Sequence, residues 1–351
     1  MEANKLSAIP IGLGETQGNS VLANCQTSTF NPDSFRRSRT EKSQWESRNR
    51  MFILGMGFVG QFFANELKKK QNWIVSGTCK SLIKKKELEG RGFDVHLFDA
   101  NDPQLEILNT LKSYTHLLVS IPPLVGDGDP MLQHGQHLRT TLMDGSLRWL
   151  CYLSSTSVYG HSDGAWADED CPTSPISESA KLRLVAEEGW LNLAYDLGVS
   201  AHVFRLGGIY GPGRSALDTI IKQKPLSNGQ KMRLSTQYTS RVHVEDICQA
   251  LDASIYRPSS RKIYNIVDDD PSPREEVFAY ARTLVEKKWP SRLKQSVSPE
   301  RAESLSQEIT SRGEKRVSNA HMKNELGVRL LHPSFRSGLL SIFNQMENPF
   351  P

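Results

Sequence analysis

Cysteine is sparse in this chain: Cys25, Cys79, Cys151, Cys171 and Cys248 are scattered over 351 residues with no C-x-x-C pair. An odd, unclustered set excludes a disulfide scaffold and a zinc ribbon, and it fits a reducing compartment in which each thiol is a small buried apolar group. Long hydrophobic runs are missing as well. The longest, such as Met51 to Val59 and Trp149 to Leu153, fall well short of the roughly 18–20 residues that cross a bilayer, which excludes a transmembrane helix and a membrane partner. Neither sign of charge is in excess, because 43 Lys and Arg stand against 39 Asp and Glu for a formal net charge of +4. That balance excludes a dedicated polyanion binder, and with no basic stripe interleaved with aromatics it speaks against nucleic acid as the main ligand. Internal repeats are also absent. Hydrophobic residues at 38% and charged residues at 23% suit a globular protein with one large or two modest cores.

Residues 1–50 differ from the rest. Ser, Thr, Asn and Gln are frequent there, and no apolar periodicity lasts long enough for a packed helix or strand. The segment reads as a disordered extension. Arg36, Arg37, Arg39, Lys42, Arg48 and Arg50 with recurrent Ser suggest a transit peptide for a chloroplast or other organelle, whereas Glu2, Glu15, Asp33, Glu41 and Glu46 favour a plain tail in the cytoplasm. Both destinations stay open.

From Met51 onward short apolar runs alternate with stretches of helical period. Met51–Leu54, Trp73–Thr78, Asp94–Phe98, His116–Ser120, Trp149–Leu153 and Ala201–Leu206 read as strands, with helices such as Val59–Lys70 between most of them. That alternation predicts right-handed βαβ units and a doubly wound parallel α/β sheet, a Rossmann fold. The expected organisation is a dinucleotide-binding domain over 51–206 and a smaller substrate-side region over 207–351. The latter holds a short strand at Lys262–Val267 and a polar, mobile insertion near 288–316.

Gly55-Met-Gly57-Phe58-Val59-Gly60 follows the first strand directly and opens a helix, the context in which a G-x-G-x-x-G loop binds a dinucleotide. Gly55 permits the turn, Gly57 lets backbone approach a pyrophosphate, and Gly60 lets helix and strand pack closely. The helix start, carrying Phe58 and Val59, offers free N–H groups to the anion. Where an NAD-specific site has Asp or Glu, the second strand ends Gly77-Thr78-Cys79-Lys80. A lysine with no carboxylate beside it favours NADP over NAD, though Lys80 also fits a solvated helix face with Lys84, Lys85 and Lys86. Asp99, after the third strand, is an adenine contact or a surface loop residue. Ser120 and Pro122, ending the fourth strand, either line the cofactor trough or merely terminate the strand.

Ser154-Ser155-Thr156-Ser157-Val158-Tyr159-Gly160 resembles the S-S-x-x-V-Y-G motif of the extended short-chain dehydrogenases/reductases, a superfamily of nucleotide-sugar epimerases, dehydratases and reductases. The resemblance continues through Arg205-Leu-Gly-Gly-Ile-Tyr210-Gly-Pro-Gly213-Arg214, Arg241-Val-His243-Val-Glu-Asp246 and Tyr264-Asn265-Ile-Val-Asp268. Together with the glycine loop it covers nearly all of 51–350. Gly164-Ala-Trp166-Ala-Asp168-Glu169, Lys315-Arg-Val-Ser-Asn-Ala and Leu326-Gly-Val look most like a poorly characterised bacterial and plant group of NAD(P)-binding, epimerase-like proteins.

The resemblance implies a Ser that binds the reacting oxygen, which Ser155 matches, and a Tyr-x-x-x-Lys element some 20–30 residues later. There the chain reads Pro175-Ile-Ser177-Glu-Ser179-Ala-Lys181-Leu-Arg183-Leu-Val-Ala-Glu187, with no tyrosine. One register puts Ser177 and Lys181 in the catalytic places. Counting back from Glu187 instead puts Ser179 and Arg183 there, the latter holding the nicotinamide ribose. A serine hydroxyl is a far poorer proton carrier near neutral pH than a phenol, and Arg cannot deprotonate. Two functions therefore stay open: an atypical NADP(H)-dependent oxidoreductase or epimerase for a small polar or nucleotide-linked substrate, and a non-catalytic dinucleotide-binding sensor or scaffold acting through a protein or RNA partner. His161 and His243 are expected on loops, and Arg205, Arg214 and Arg241 suit a substrate anion, with a buried ion pair as the alternative for Arg205. Asp268, Asp269 and Asp270 read as a solvated turn and not a metal cluster. The resemblance also implies a homodimer formed through helices beside the active site.

Overall fold

Strand β1 (Asn49–Leu54) is buried on alternate sides, Met51 and Ile53 toward one core and Phe52 and Leu54 toward the other. Period-two burial on both faces is what a central parallel strand requires. The computed structural model describes residues 48–101, 106–222, 238–290 and 315–347. Of the extension read over residues 1–50, residues 1–47 lie outside the described residues, as does most of the insertion near 288–316, residues 291–314, whereas Asn49 and Arg50 begin β1 and are not part of an unstructured tail.

In chain order, helix α1 (Phe58–Lys68) follows β1, then β2 (Trp73–Cys79), α2 (Leu82–Gly90), β3 (Asp94–Leu97), α3 (Glu106–Leu111), β4 (His116–Val119) and α4 (Gly135–Met143). Next come β5 (Trp149–Ser155), β6 (Trp166–Ala167), α5 (Glu178–Asp196), β7 (Ser200–Leu206), β8 (Gly208–Tyr210) and α6 (Ala216–Ile221). The chain continues with β9 (Arg241–His243), α7 (Val244–Ile255), β10 (Lys262–Ile266), α8 (Arg274–Lys288), β11 (Arg316–Val317), α9 (Ala320–Leu326) and α10 (Phe335–Gln345).

Seven strands form one parallel sheet in the order β10-β7-β5-β4-β1-β2-β3. The expected doubly wound fold is therefore present. Its order reverses between β1 and β4, and in such sheets the crevice outside the carboxyl ends at that point receives the ligand. One structural fact revises the expected division at residue 206: β10 pairs with β7 from Lys262↔His202 to Ile266↔Leu206, so a boundary there cuts through the sheet.

Two apolar cores cover the sheet. Phe63, Leu67, Ile247 and Leu251 pack on one face, and Leu108, Leu138, Trp190 and Leu193 on the other. Truncating a fully buried aromatic such as Phe52 to alanine costs about 3–5 kcal/mol. A third core, built on Leu217, Val277, Ala281, Phe335 and Leu339, joins α6, α8 and α10. These helices form one wall of the site described next. Cys79, Cys151 and Cys248 are buried as expected, while Cys171 is half-buried. No described helix is long and apolar enough to cross a membrane.

Candidate active site

The loop after β1 is held by the neighbouring strand. Gly55 donates its N–H to Thr78 Oγ1 at 2.8 Å, and Met56 donates to the Thr78 carbonyl at 2.7 Å. Gly55 has φ +99°, a conformation glycine adopts without strain. A Cβ on Gly60 would lie 2.5 Å from the Gly55 carbonyl oxygen, so α1 can approach the loop only with glycine there. Gly57 is different: nothing lies within 4 Å of where its Cβ would be, and it precedes α1 with no side-chain cap. Open space against uncapped N–H groups at a helix start is a cradle for a phosphate, and these residues fit the dinucleotide that the glycine pattern predicts.

A cavity of about 580 Å³ opens from this loop, lined among others by Phe58, Thr78, Lys80, Asp99, Ile121 and Pro122. Val59 and Gly60 are buried behind it in α1. Ser120 stands half-buried at the end of β4 and donates its N–H to the Leu54 carbonyl at 2.8 Å. The structure pairs two residues that the sequence treats separately, because Lys80 Nζ lies 3.5 Å from Asp99 Oδ1. The Asn101 backbone N–H, its side-chain amide and Lys80 together hold the Asp99 carboxyl below its usual range.

A second cavity, of about 620 Å³, is lined among others by Tyr210, Arg214, Ser215, Arg241, Arg274 and Phe335. The Arg214 guanidinium lies 5.3 Å from the Phe58 ring centre, so Phe58, which lines the first cavity, backs onto a residue of the second. Arg241 is 7% exposed. Its Nη2 donates to the Ser272 carbonyl at 2.8 Å, and the guanidinium sits 5.5 Å from the Phe335 ring centre. Its Nη1 is buried with no hydrogen-bond partner among the described residues.

The expected solvated turn at 268–270 needs correction. Asp268 is 2% exposed, its Oδ2 has no partner among the described residues, and burial pushes its carboxyl up to about 8 against the pull of Arg241. Burial likewise lowers the pKa of Arg241, with Asp268 opposing. Only the neighbours behave as surface charges, Asp269 with Lys323 at 2.5 Å and Asp270 with Arg336 at 2.8 Å.

Ser155 closes β5 half-buried, and its Oγ accepts from the Ser157 N–H at 3.2 Å, which leaves the hydroxyl hydrogen free to donate to a substrate oxygen. Beside it a buried network joins four elements. Glu187 on α5 binds Arg205 on β7 through both carboxylate oxygens, with Nη2 to Oε2 at 2.8 Å, and accepts from Ser154 Oγ at 2.5 Å. Arg205 Nη1 donates to the Tyr159 hydroxyl at 3.0 Å, and that hydroxyl donates to Asn265 Oδ1 on β10 at 2.8 Å. Arg205 is therefore the buried ion-pair partner, not a substrate ligand.

This network bears on the two registers. Glu187 fixes which face of α5 meets the sheet, and residues four apart share that face, so Arg183 lies near it, whereas Ser179 is exposed with its hydroxyl 3.2 Å from that of Ser177. Arg183 is half-buried and close enough to bias the titration of Tyr152 on β5. Ser177 is the exposed N-cap of α5, accepting from the Ala180 N–H at 3.3 Å, and Lys181 is exposed off the Glu187 face.

Three tyrosines near this region do not replace the missing one. Tyr152 is sealed in the core, Tyr159 belongs to the network, and Tyr210 is buried with its hydroxyl on the Ser334 carbonyl. His161 is exposed. His243, expected on a loop, is instead a buried end of β9 whose Nδ1 caps α7. A residue given no role by the motifs, Lys315, donates to the Gly160 carbonyl at 3.3 Å on the turn that follows Ser155, and desolvation lowers its ammonium to about 8.

Known proteins resemble this chain in sequence and fold. Residues 135–267 match the model of the NAD dependent epimerase/dehydratase family. Protein YeeZ of Escherichia coli K12 is 29% identical over 221 residues, spanning 61% of this chain and 76% of its own. A functionally unknown conserved protein from Silicibacter pomeroyi, of solved structure, is 32% identical with a TM-score of 0.66, covering 86% of this chain and 100% of its own. UDP-glucuronic acid 4-epimerase from Bacillus cereus, solved with UDP-glucuronic acid and NAD, shares the fold at 19% identity and TM-score 0.63, over 84% of this chain and 98% of its own. With the glycine cradle, the S-S-x-x-V-Y-G turn and the reversed strand order in place, the chain belongs to the NAD-dependent epimerase/dehydratase family of extended short-chain dehydrogenases/reductases.

Proposed function

We propose that the protein is an atypical nicotinamide-dinucleotide-dependent oxidoreductase or epimerase acting on a small substrate that carries a phosphate or carboxylate, with NADP preferred over NAD. The observation that carries the substrate class is Arg241. A guanidinium 93% buried, with one amino group lacking any partner among the described residues and its side chain lining a cavity next to the dinucleotide cleft, is desolvated at a cost that an anionic ligand recovers.

The glycine loop would hold the pyrophosphate, and Lys80 with Lys84 would meet a 2′-phosphate. Arg183 would steady the nicotinamide ribose. The bound cofactor supplies or accepts the hydride. Ser155 orients the reacting oxygen by donating its hydroxyl hydrogen, while Arg241, Arg214 and Ser215 clamp the anionic end so that the carbon faces the cleft. With no tyrosine in the usual place, proton transfer would run through Lys315, through water or through the substrate itself.

A second reading, binding without turnover, draws on the missing phenol. Calorimetry on the full chain with NADPH and NADH, followed by a turnover screen of sugar nucleotides and phosphorylated or carboxylated sugars, separates the two. Turnover lost in Arg241→Met with NADPH binding intact supports the first. NADPH binding with no turnover across the screen supports the second, and no binding of either nucleotide refutes both.

A further inference from the structure

Two buried imidazoles and a carboxylate converge behind the Arg241 cavity, on residues to which neither the motifs nor the proposed chemistry assigns a ligand. His243 ends β9, Glu245 lies in the first turn of α7, and His332 precedes α10, 87 positions after Glu245. Glu245 Oε2 lies 2.7 Å from His332 Nε2 and 3.7 Å from His243 Nδ1, and the ring centres of the two histidines are 3.9 Å apart. One donor atom from each residue falls within 4.8 Å of the others. A tetrahedral ion with bonds near 2.1 Å spaces its ligand atoms about 3.4 Å apart, so the observed separations bracket what such an ion needs.

We propose that His243, Glu245 and His332 bind a divalent transition-metal ion, Zn²⁺ or one of similar ligand preference, which clasps the segment before α10 to the start of α7. Two neutral imidazoles with one carboxylate suit Zn²⁺, Co²⁺, Ni²⁺ or Cu²⁺ and not Mg²⁺ or Ca²⁺, which require oxygen-rich sites. His243 coordinates through Nδ1 and keeps its proton on Nε2. The ion takes a lone pair now engaged by only a long 3.3 Å contact from the Glu245 N–H. The His332 segment is already held in position, because the Asp246 carboxylate accepts the N–H groups of Leu331 at 2.6 Å and His332 at 3.2 Å, while His243 Nε2 is buried with no partner among the described residues. Glu245, whose side chain is 39% exposed, opens the site to solvent, whereas His243 and His332 are buried. Because Arg241 is two residues before His243 and Phe335 three after His332, the ion braces the wall of the anion cavity. It takes no part in the chemistry there.

The test uses the untagged full chain, stripped with a chelator and dialysed, then titrated with Co²⁺ while its visible d–d absorption is followed. One Co²⁺ per chain, displaced by Zn²⁺, with a rise in melting temperature, is the expected result. His332→Phe keeps the aromatic bulk and Glu245→Gln keeps the shape of a partly exposed side chain. Each should weaken Co²⁺ binding by about tenfold or more, and circular dichroism checks that both remain folded. No absorption band and no stabilisation would reduce the cluster to a hydrogen-bonded clasp and overturn the proposal. Unchanged binding in both variants would place the ion elsewhere and overturn it equally.

Discussion

Gly57 and Gly60 are three residues apart in one motif, yet their surroundings predict opposite consequences for the same substitution. At Gly57 an alanine methyl meets no protein atom within 4 Å, and φ −77° is accessible to alanine. Gly57→Ala should therefore gain about 0.4–1 kcal/mol from a less flexible unfolded chain and lose a comparable amount, up to about 1 kcal/mol, from a poorer helix N-cap. The melting temperature should stay within about 4 °C of the parent. The methyl instead fills the space reserved for the pyrophosphate. Losing one charge-assisted backbone contact, worth about 1.5–3 kcal/mol, weakens NADPH roughly tenfold to 150-fold. At Gly60 the methyl sits 2.5 Å from the Gly55 carbonyl oxygen, a backbone atom that cannot swing aside. Gly60→Ala should cost about 1–3 kcal/mol or more through overpacking and lower the melting temperature visibly. Thermal denaturation and calorimetry on both variants decide the matter. A Gly57→Ala protein that binds NADPH as the parent does, or a Gly60→Ala protein that melts with it, would refute the assignment of the cradle.

Three further outcomes are expected. Glu187→Gln leaves Arg205 charged and buried without its counter-ion, a change that costs about 3–5 kcal/mol and lowers the melting temperature by on the order of 10 °C; an unchanged melting curve would contradict it. Lys80→Ala should weaken NADPH several-fold and leave NADH nearly unaffected, whereas Asp99→Asn should strengthen NADPH by releasing Lys80, and equal effects on both nucleotides in calorimetry would dismiss the 2′-phosphate preference. Asp268 is an acid whose folded pKa, about 8, lies above the roughly 3.9 of an unfolded aspartate, so the folded state binds the extra proton between these values. Its contribution to stability is full below about pH 4 and is lost as pH rises toward 8. Denaturant titrations of Asp268→Asn should lack that component, and the variant should retain anion affinity above pH 8, where the parent's ionised Asp268 competes for Arg241.

The sheet was legible because strands buried on both faces leave uninterrupted apolar runs, as in His116–Val119, and because the glycine loop sits where strand meets helix. The phase of α5 was less so. Ser177 with Lys181 has the right spacing to a lysine, and only the tertiary pairing of Glu187 with Arg205 shows which face of the helix meets the sheet. Glu187 itself was the available signal. Asp268 misled for a related reason: three consecutive aspartates look solvated, yet β10 carries the first of them inward beside Arg241, 27 positions earlier. The His243–Glu245–His332 cluster left no trace in spacing at all, since its third member comes from the segment before α10.

The late arrival of β10 bears on how the chain acquires its shape. Until residues 262–266 emerge from the ribosome, β7 is an open edge presenting unpaired N–H and C=O groups, and Tyr159 lacks the Asn265 side-chain carbonyl that accepts its hydrogen bond. A fragment ending after the last motif of the nucleotide half would thus be an edge-strand liability, prone to pair with other chains, and not a smaller working domain. The C-terminal third completes the sheet on which the nucleotide half depends.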